Sequence, residues 1–184
     1  NNIKYSKFHN NTNTGIYLHN SDRIELNKNN CSNNYHGVYL IYSDNTIITN
    51  NTIKNNEKIG IYFYLSDFGI ISTNHVDHNS DYGIYARHSD SITIRGNEIE
   101  NNDKHGVYLI SSQGNFLLNN SITNNSINGI FLSVDSIKNE ISGNIISHSI
   151  IGIYGYYSHN NTIMNNNIFN TSNHGVFRYR AKET

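Results

Sequence analysis

Four aspartates stand at a regular spacing. Asp22, Asp44, Asp67 and Asp90 recur at 22 or 23 positions, and each follows a serine: Ser21, Ser43, Ser66 and Ser89. Their column runs on to Gln113, Ser136 and His159. If the spacing stacks them on neighbouring strands about 4.8 Å apart, the carboxylates repel, so that some hold raised pKa values or share a cation. Calcium accepts such oxygens, with asparagine and carbonyl oxygens completing its shell. Asp22, Asp44, Asp67 and Asp90 are therefore a candidate calcium column, although nothing in the chain requires a cofactor. The spacing also falls near the roughly 5–5.5 Å that separates the two carboxylates of a retaining glycosidase. That makes Asp44, Asp67 and Asp90 the candidate catalytic acids. The competing reading is plainer: aspartate after serine in a turn commonly ties its own backbone.

A second column is aromatic: Tyr17, Tyr39, Tyr62, Tyr85, Tyr108, Phe131, Tyr154 and Phe177. Two residues further on lie His19, Ile41, Tyr64, Arg87, Ile110, Ser133, Tyr156 and Tyr179. Three roles suit such a wall. It could be a self-stacking ladder, a face covered by a protein partner, or a bed for a polysaccharide. Tyrosine serves the last through an apolar ring and a hydrogen-bonding hydroxyl. The candidate binding residues are Tyr39, Tyr62, Tyr64, Tyr85, Tyr108, Tyr154 and Tyr156. Histidines supply one compact candidate for a transition metal, His75 and His78 flanking Asp77; His36, His105 and His174 share a slot but lie three repeats apart, too far to ligate one ion.

The elements that must position these groups follow from one recurring word. Gly60-Ile61-Tyr62 returns at Gly15, Gly37, Gly83, Gly106, Gly129, Gly152 and Gly175, with Val for Ile or Phe for Tyr at some copies. A fixed period in this range means stacked repeats that bury their apolar faces only against each other. Within one repeat, Ile84 and Ala86 alternate with Tyr85 and Arg87, Ile92-Thr93-Ile94 alternates again, and Ile99 returns to the core. Turn formers separate these runs, giving three short strands and three turns. The last apolar slot holds Cys31, Ile53, Val76, Ile99, Ile122, Ile145 and Ile168. Before it stand Asn29, Asn51, Asn74, Asn97, Asn120, Gly143 and Asn166; after it come Asn34, Asn56, Asn79, Asn102, Asn125, His148 and Thr171. Such strands return to register only as a coil rising one strand spacing per turn, on which each asparagine column becomes a ladder of bonded amides. The recurrent glycine suits a positive φ or a close backbone approach.

Composition narrows the functional classes. The net charge is −1 and 15% of residues are charged, which provides no basic field for nucleic acid. Asparagine is about one residue in five and proline is absent; the strict apolar register argues against disorder. No apolar run is long enough to span a bilayer, and no signal segment opens the chain. Cys31 occupies an apolar slot and reads as a buried hydrophobe. Seven Asn-X-Ser/Thr triplets, at Asn10, Asn30, Asn50, Asn119, Asn124, Asn160 and Asn170, would accept glycans in an exported chain. The chain opens on Asn1, partway through a repeat, as a module of a longer exported protein would. Residues 1–184 read as a single domain.

With glycine-Ile-Tyr, Ser-Asp, Asn-x-Ile and a closing Asn in fixed order, the chain resembles the right-handed parallel β-helix repeat family. The nearest pattern is that of NosD-like and carbohydrate-binding or sugar-hydrolase β-helix domains. The resemblance implies an all-β, single-stranded parallel β-helix solenoid of about eight coils of 22–23 residues. It implies an extracellular, cell-surface or periplasmic location. The Asp-Pro-His motif of β-helix epimerases cannot occur without proline, and no cation flanks the acidic column as in polysaccharide lyases; Arg87 and Arg95 are the nearest. The reading is thus a non-catalytic module that is structural or binds a glycan or protein partner. The alternatives are a polysaccharide hydrolase or lyase using the aspartates, and a NosD-like periplasmic accessory protein with a metal role. Uncapped solenoids also associate end to end or laterally, with Arg178, Arg180, Lys182 and Glu183 expected to blunt the C-terminal edge.

Overall fold

The structure is a computed structural model that describes residues 1–180; Lys182 and Glu183 lie outside the described residues. Twenty-four strands form three parallel sheets of eight strands each. The first sheet runs from Asn2–Lys4 to Thr162–Met164, the second from Lys7–His9 to Asn167–Phe169, and the third from Thr14–His19 to His174–Tyr179. Each strand pairs with its equivalent one coil away, as Tyr62 with Tyr85 and Val76 with Ile99. The chain is therefore a three-sided parallel β-helix of eight coils.

The core is the set of inward positions that alternation demands. In one coil Ile61, Phe63, Ile71 and Val76 are all fully buried, at about 1.5–3 kcal/mol apiece. Cys31 is among them, and burial pushes its thiol up to about 12. Two kinds of asparagine hold the corners. Asn51, Asn74, Asn97 and Asn120 are buried, and each backbone N–H and side-chain amide donates to the side-chain oxygen of the next coil, Asn74 to Asn97 at 2.9 and 3.0 Å. Asn10, Asn33, Asn55, Asn101, Asn124 and Asn170 instead take the left-handed conformation, with φ between 52 and 57°, which asparagine tolerates better than most residues. The abundance of asparagine thus reflects amide ladders and left-handed turns together.

The recurrent glycine answers to close approach. A Cβ on Gly60 would lie 2.6 Å from the carbonyl oxygen of Gly83 and 2.9 Å from the Asn79 amide, and positive φ falls on Gly96, Gly114 and Gly143 instead.

One coil departs from the expected register. Asn115 pairs with Asn139 and Asn120 with Asn144 at a spacing of 24. An extra residue sits where Val134 and Asp135 are both left-handed, and one fewer follows before Gly152, so the glycine period hides both. Consequently Ile146 is buried and Ile145 is 47% exposed. Asn144, not Gly143, continues the amide ladder. His148 takes the left-handed slot of Asn124, and Ser149 rather than His148 occupies the buried slot. Ser136 belongs to the serine column, since the Ser112 N–H points to its hydroxyl at 3.5 Å.

Candidate functional site

The aspartate column occupies the turn between the third and first sheets, and its carboxylates act on the backbone. The Asp44 N–H donates to Asp22 Oδ1 at 2.8 Å, the Asp67 N–H to Asp44 Oδ1 at 2.7 Å, the Asp90 N–H to Asp67 Oδ1 at 2.7 Å, and the Gln113 N–H to Asp90 Oδ1 at 2.8 Å. The serines work in the opposite direction. Ser43 N–H donates to Ser66 Oγ at 2.9 Å, while the Ser43 hydroxyl donates to its own strand at the Ile41 carbonyl. Each Ser-Asp pair therefore clamps the coil on either side. Burial raises the Asp67 carboxyl above the ordinary range; the Asp90 N–H opposes this, and the Asp90 and Asp44 charges add to it.

The aromatic column stands on the outward side of the third sheet. Tyr39, Tyr62, Tyr85, Tyr108, Phe131, Tyr154 and Phe177 stack with centroids 4.6–5.2 Å apart and planes within 10–23°. Ring faces are thus spent on one another, and the column presents edges and hydroxyls. From Tyr39 to Tyr154 the rings are half-buried. Burial pushes the Tyr62 phenol up to about 12, the Tyr39 charge adding to this and Arg87 opposing it; Tyr39, Tyr85 and Tyr154 are also raised, chiefly by burial. These hydroxyls remain protonated donors at physiological pH. On the flanking column, Arg87 lies 5.6 Å over Tyr64, and Tyr156 stacks on Tyr179. On the other flank, Tyr82 stacks on His105 with planes 3° apart. Burial, then the Lys104 charge, lowers His105 to about 4.

The stack ends at Tyr39. Tyr17 is 55% exposed and turned 64° out of parallel. Beside it opens a cleft of about 450 Å³ lined by Asn13, Thr14, Tyr17, Tyr35, His36 and Tyr39. The repeat pattern places Tyr17 in the aromatic column and His36 in the slot before the glycine, but does not assemble the cleft.

On the outward face of the second sheet, register sets His75 opposite Glu98 and Asp77 opposite Glu100. His75 Nδ1 lies 2.9 Å from Glu98 Oε2, and its Nε2 is 3.7 Å from Asp77 Oδ2. Among the described residues, His75, Glu98 and Glu100 form the one group whose ligand atoms all fall within 4.8 Å of one another. His78 is turned onto Asp77 at 2.5 Å and stays outside that group. The aspartate column brings no three carboxylates that close. Glu98 and Glu100 were not anticipated, although adding one period to His75 and Asp77 reaches them.

The model for "Right handed beta helix region" matches residues 1–146, and that for "Periplasmic copper-binding protein (NosD)" matches residues 112–184. No curated protein matches in sequence. The A-module of mannuronan C-5 epimerase AlgE4 from Azotobacter vinelandii is similar in fold over the whole chain, at TM-score 0.89 and 21% identity, the chain covering 57% of it. The periplasmic alginate epimerase AlgG matches over 93% of the chain and 47% of its own length, at TM-score 0.73 and 19% identity. The Dettilon tailspike protein matches over 90% of the chain and 40% of its own, at TM-score 0.79 and 17% identity. The chain spans about half the length of these proteins. No helix among the described residues is long and apolar enough to cross a membrane. With its family model spanning most of the sequence, the chain belongs to the right-handed β-helix family.

Proposed function

We propose that this chain is a non-catalytic β-helix module of an extracellular or periplasmic protein that holds a glycan along the outward face of its third sheet. The observation that carries the reading is the aromatic column stacked from Tyr39 to Phe177, which offers a phenol hydroxyl or ring edge at each coil it crosses between two flanking columns of mixed side chains. Such a surface matches a polymer that repeats along its length, since binding energy accumulates from many modest contacts. The polysaccharide enzymes and the tailspike with the same fold support a glycan as the partner class, and the names of NosD and AlgG support an exported location. The binding role is favoured over catalysis because Asp44, Asp67 and Asp90 each commit an oxygen to the next coil's backbone.

The test is retention of the purified chain on neutral and acidic polysaccharides, with and without calcium, while assaying for new reducing or unsaturated ends. The triple variant Tyr62→Phe, Tyr85→Phe, Tyr108→Phe keeps the stack, in which Phe131 and Phe177 already take part, and removes three hydroxyls. Binding without cleavage, weakened about tenfold or more in that variant, is the expected result. Cleavage abolished by Asp67→Asn would replace the module with an enzyme. A second reading, an accessory protein with a metal role, draws on His75, Glu98 and Glu100. These lie outside the segment that resembles NosD. Titration with zinc, copper and calcium, compared with Glu100→Gln, tests it.

A further inference from the structure

The aromatic column interacts with itself along most of its length, yet a cleft opens beside it at Tyr39. We propose that the cleft formed by Asn13, Thr14, Tyr17, Tyr35, His36 and Tyr39 is a subsite for a single neutral sugar ring. This rests on the glycan-binding reading above and names where the chain grips and which class of sugar it takes.

Geometry carries the argument. From Tyr62 to Tyr154 each ring is covered by the rings of the coils on either side. At Tyr39 the cover on one side is missing, because Tyr17 meets it edge-on at 64° and 5.4 Å. Tyr35, 39% exposed, stands 4.8 Å from His36 and nearly perpendicular to it, and His36 is in turn 5.7 Å from Tyr39. Three tyrosines and an imidazole therefore frame one concavity at differing angles, where from Tyr39 to Phe177 successive rings of the column stack within 23° of parallel. Its volume of about 450 Å³ lies in the range of small-molecule sites, which combine aromatic walls with a few convergent polar groups.

Polar groups define the class of ligand. The Ile59 N–H donates to His36 Nδ1 at 3.3 Å, which leaves the proton on Nε2 as the donor of a neutral imidazole. Burial holds this histidine below the ordinary range, with the Lys58 charge lowering it further and Asp81 opposing. Asn13, Thr14 and the tyrosine hydroxyls complete a set of uncharged donors and acceptors. No lining residue carries a charge to pair a uronate carboxylate, whose desolvation would go uncompensated. A quaternary ammonium would also suit an aromatic frame, but it would leave the amide, hydroxyl and imidazole groups unused. A neutral pyranose uses both the ring surfaces and the polar groups.

Calorimetric titration separates the outcomes. The probes are neutral gluco- and manno-oligosaccharides, uronate oligosaccharides of equal length, and choline. Tyr17→Ala and Tyr35→Ala alter exposed side chains, and Phe68→Ala, at an exposed turn outside the cleft, serves as the control. The expected result is that a neutral oligosaccharide binds more tightly than its uronate counterpart. It should weaken about tenfold in each tyrosine variant and stay unchanged in Phe68→Ala. Equal or tighter uronate binding, choline binding in preference, or neutral binding indifferent to Tyr17→Ala and Tyr35→Ala would overturn the subsite while leaving a glycan-binding face in place. Failure of every oligosaccharide and polysaccharide to bind would overturn the glycan reading itself.

Discussion

Asn74 and Asn55 are the same residue type at corners of consecutive coils, and opposite responses to substitution are expected of them. Asn74 is buried; its Oδ1 accepts the Asn51 N–H at 2.9 Å and the Asn51 side-chain amide at 3.0 Å. Its own amide donates to the Ile48 carbonyl at 2.8 Å and to Asn97 Oδ1 at 3.0 Å. In Asn74→Ala the Asn51 side-chain amide keeps the Leu26 and Thr49 carbonyls, and Asn97 Oδ1 keeps the Asn74 N–H. The Asn51 backbone N–H, however, is left buried without its acceptor. One stranded donor costs about 1–3 kcal/mol and each of the three further lost bonds about 0.5–1.5 kcal/mol, so Asn74→Ala should cost about 2.5–7.5 kcal/mol. Asn74→Gly should cost more, because it also frees the unfolded chain. Asn55 is exposed with φ of 55°. Asn55→Ala therefore costs only the left-handed penalty of about 1–2 kcal/mol, and Asn55→Gly should be close to neutral. Denaturant midpoints for the four variants are the assay, since repeat arrays need not unfold in one step. Equal losses for Asn74→Ala and Asn55→Ala, or a large loss for Asn55→Gly, would refute the division of the asparagines into two roles.

Three further outcomes follow from the same geometry. Gly60→Ala places a methyl 2.6 Å from the Gly83 carbonyl oxygen and should destabilise by at least about 2 kcal/mol, measurable as a lower denaturant midpoint. Asp67→Asn retains an oxygen for the Asp90 N–H and relieves a carboxylate whose pKa is raised by burial. It should be neutral or slightly stabilising at pH 7, whereas Asp67→Ala should lose about 1–2 kcal/mol; matching losses in the two would argue against the clamp. His105 is lowered to about 4 when folded, so the unfolded chain takes up a proton below its ordinary value near 6.5 while the folded chain does not. Stability should therefore fall as the pH drops from about 6.5 towards 4, by an amount on the order of 2–3 kcal/mol. The decline should shrink in His105→Asn, which places there the residue that Asn128 supplies one coil on.

The coil, its three sheets and nearly all of its core could be read in the sequence, because a parallel β-helix stacks each residue on its equivalent and turns periodicity directly into contact. The same property explains the errors. Counting from glycine to glycine cannot detect an insertion at Val134 and Asp135 that a later deletion cancels, and so Ile145 was read for Ile146. Alternation along a strand marks Tyr62 as outward but is silent on ring orientation. The parallel stacking that consumes the ring faces, and its break at Tyr17, emerge only from side-chain geometry. The grouping of His75 with Glu98 and Glu100 was accessible by adding one period, but a motif sought within a single coil led to His78.

Amide chemical-shift mapping during titration with a bound oligosaccharide tests the central claim most directly. The account predicts shifts confined to the third sheet, strongest around residues 13–17 and 35–39 and continuing along the tyrosine rungs. Shifts centred on the aspartate turn, on the His75 and Glu98 face, or on no surface at all would contradict it.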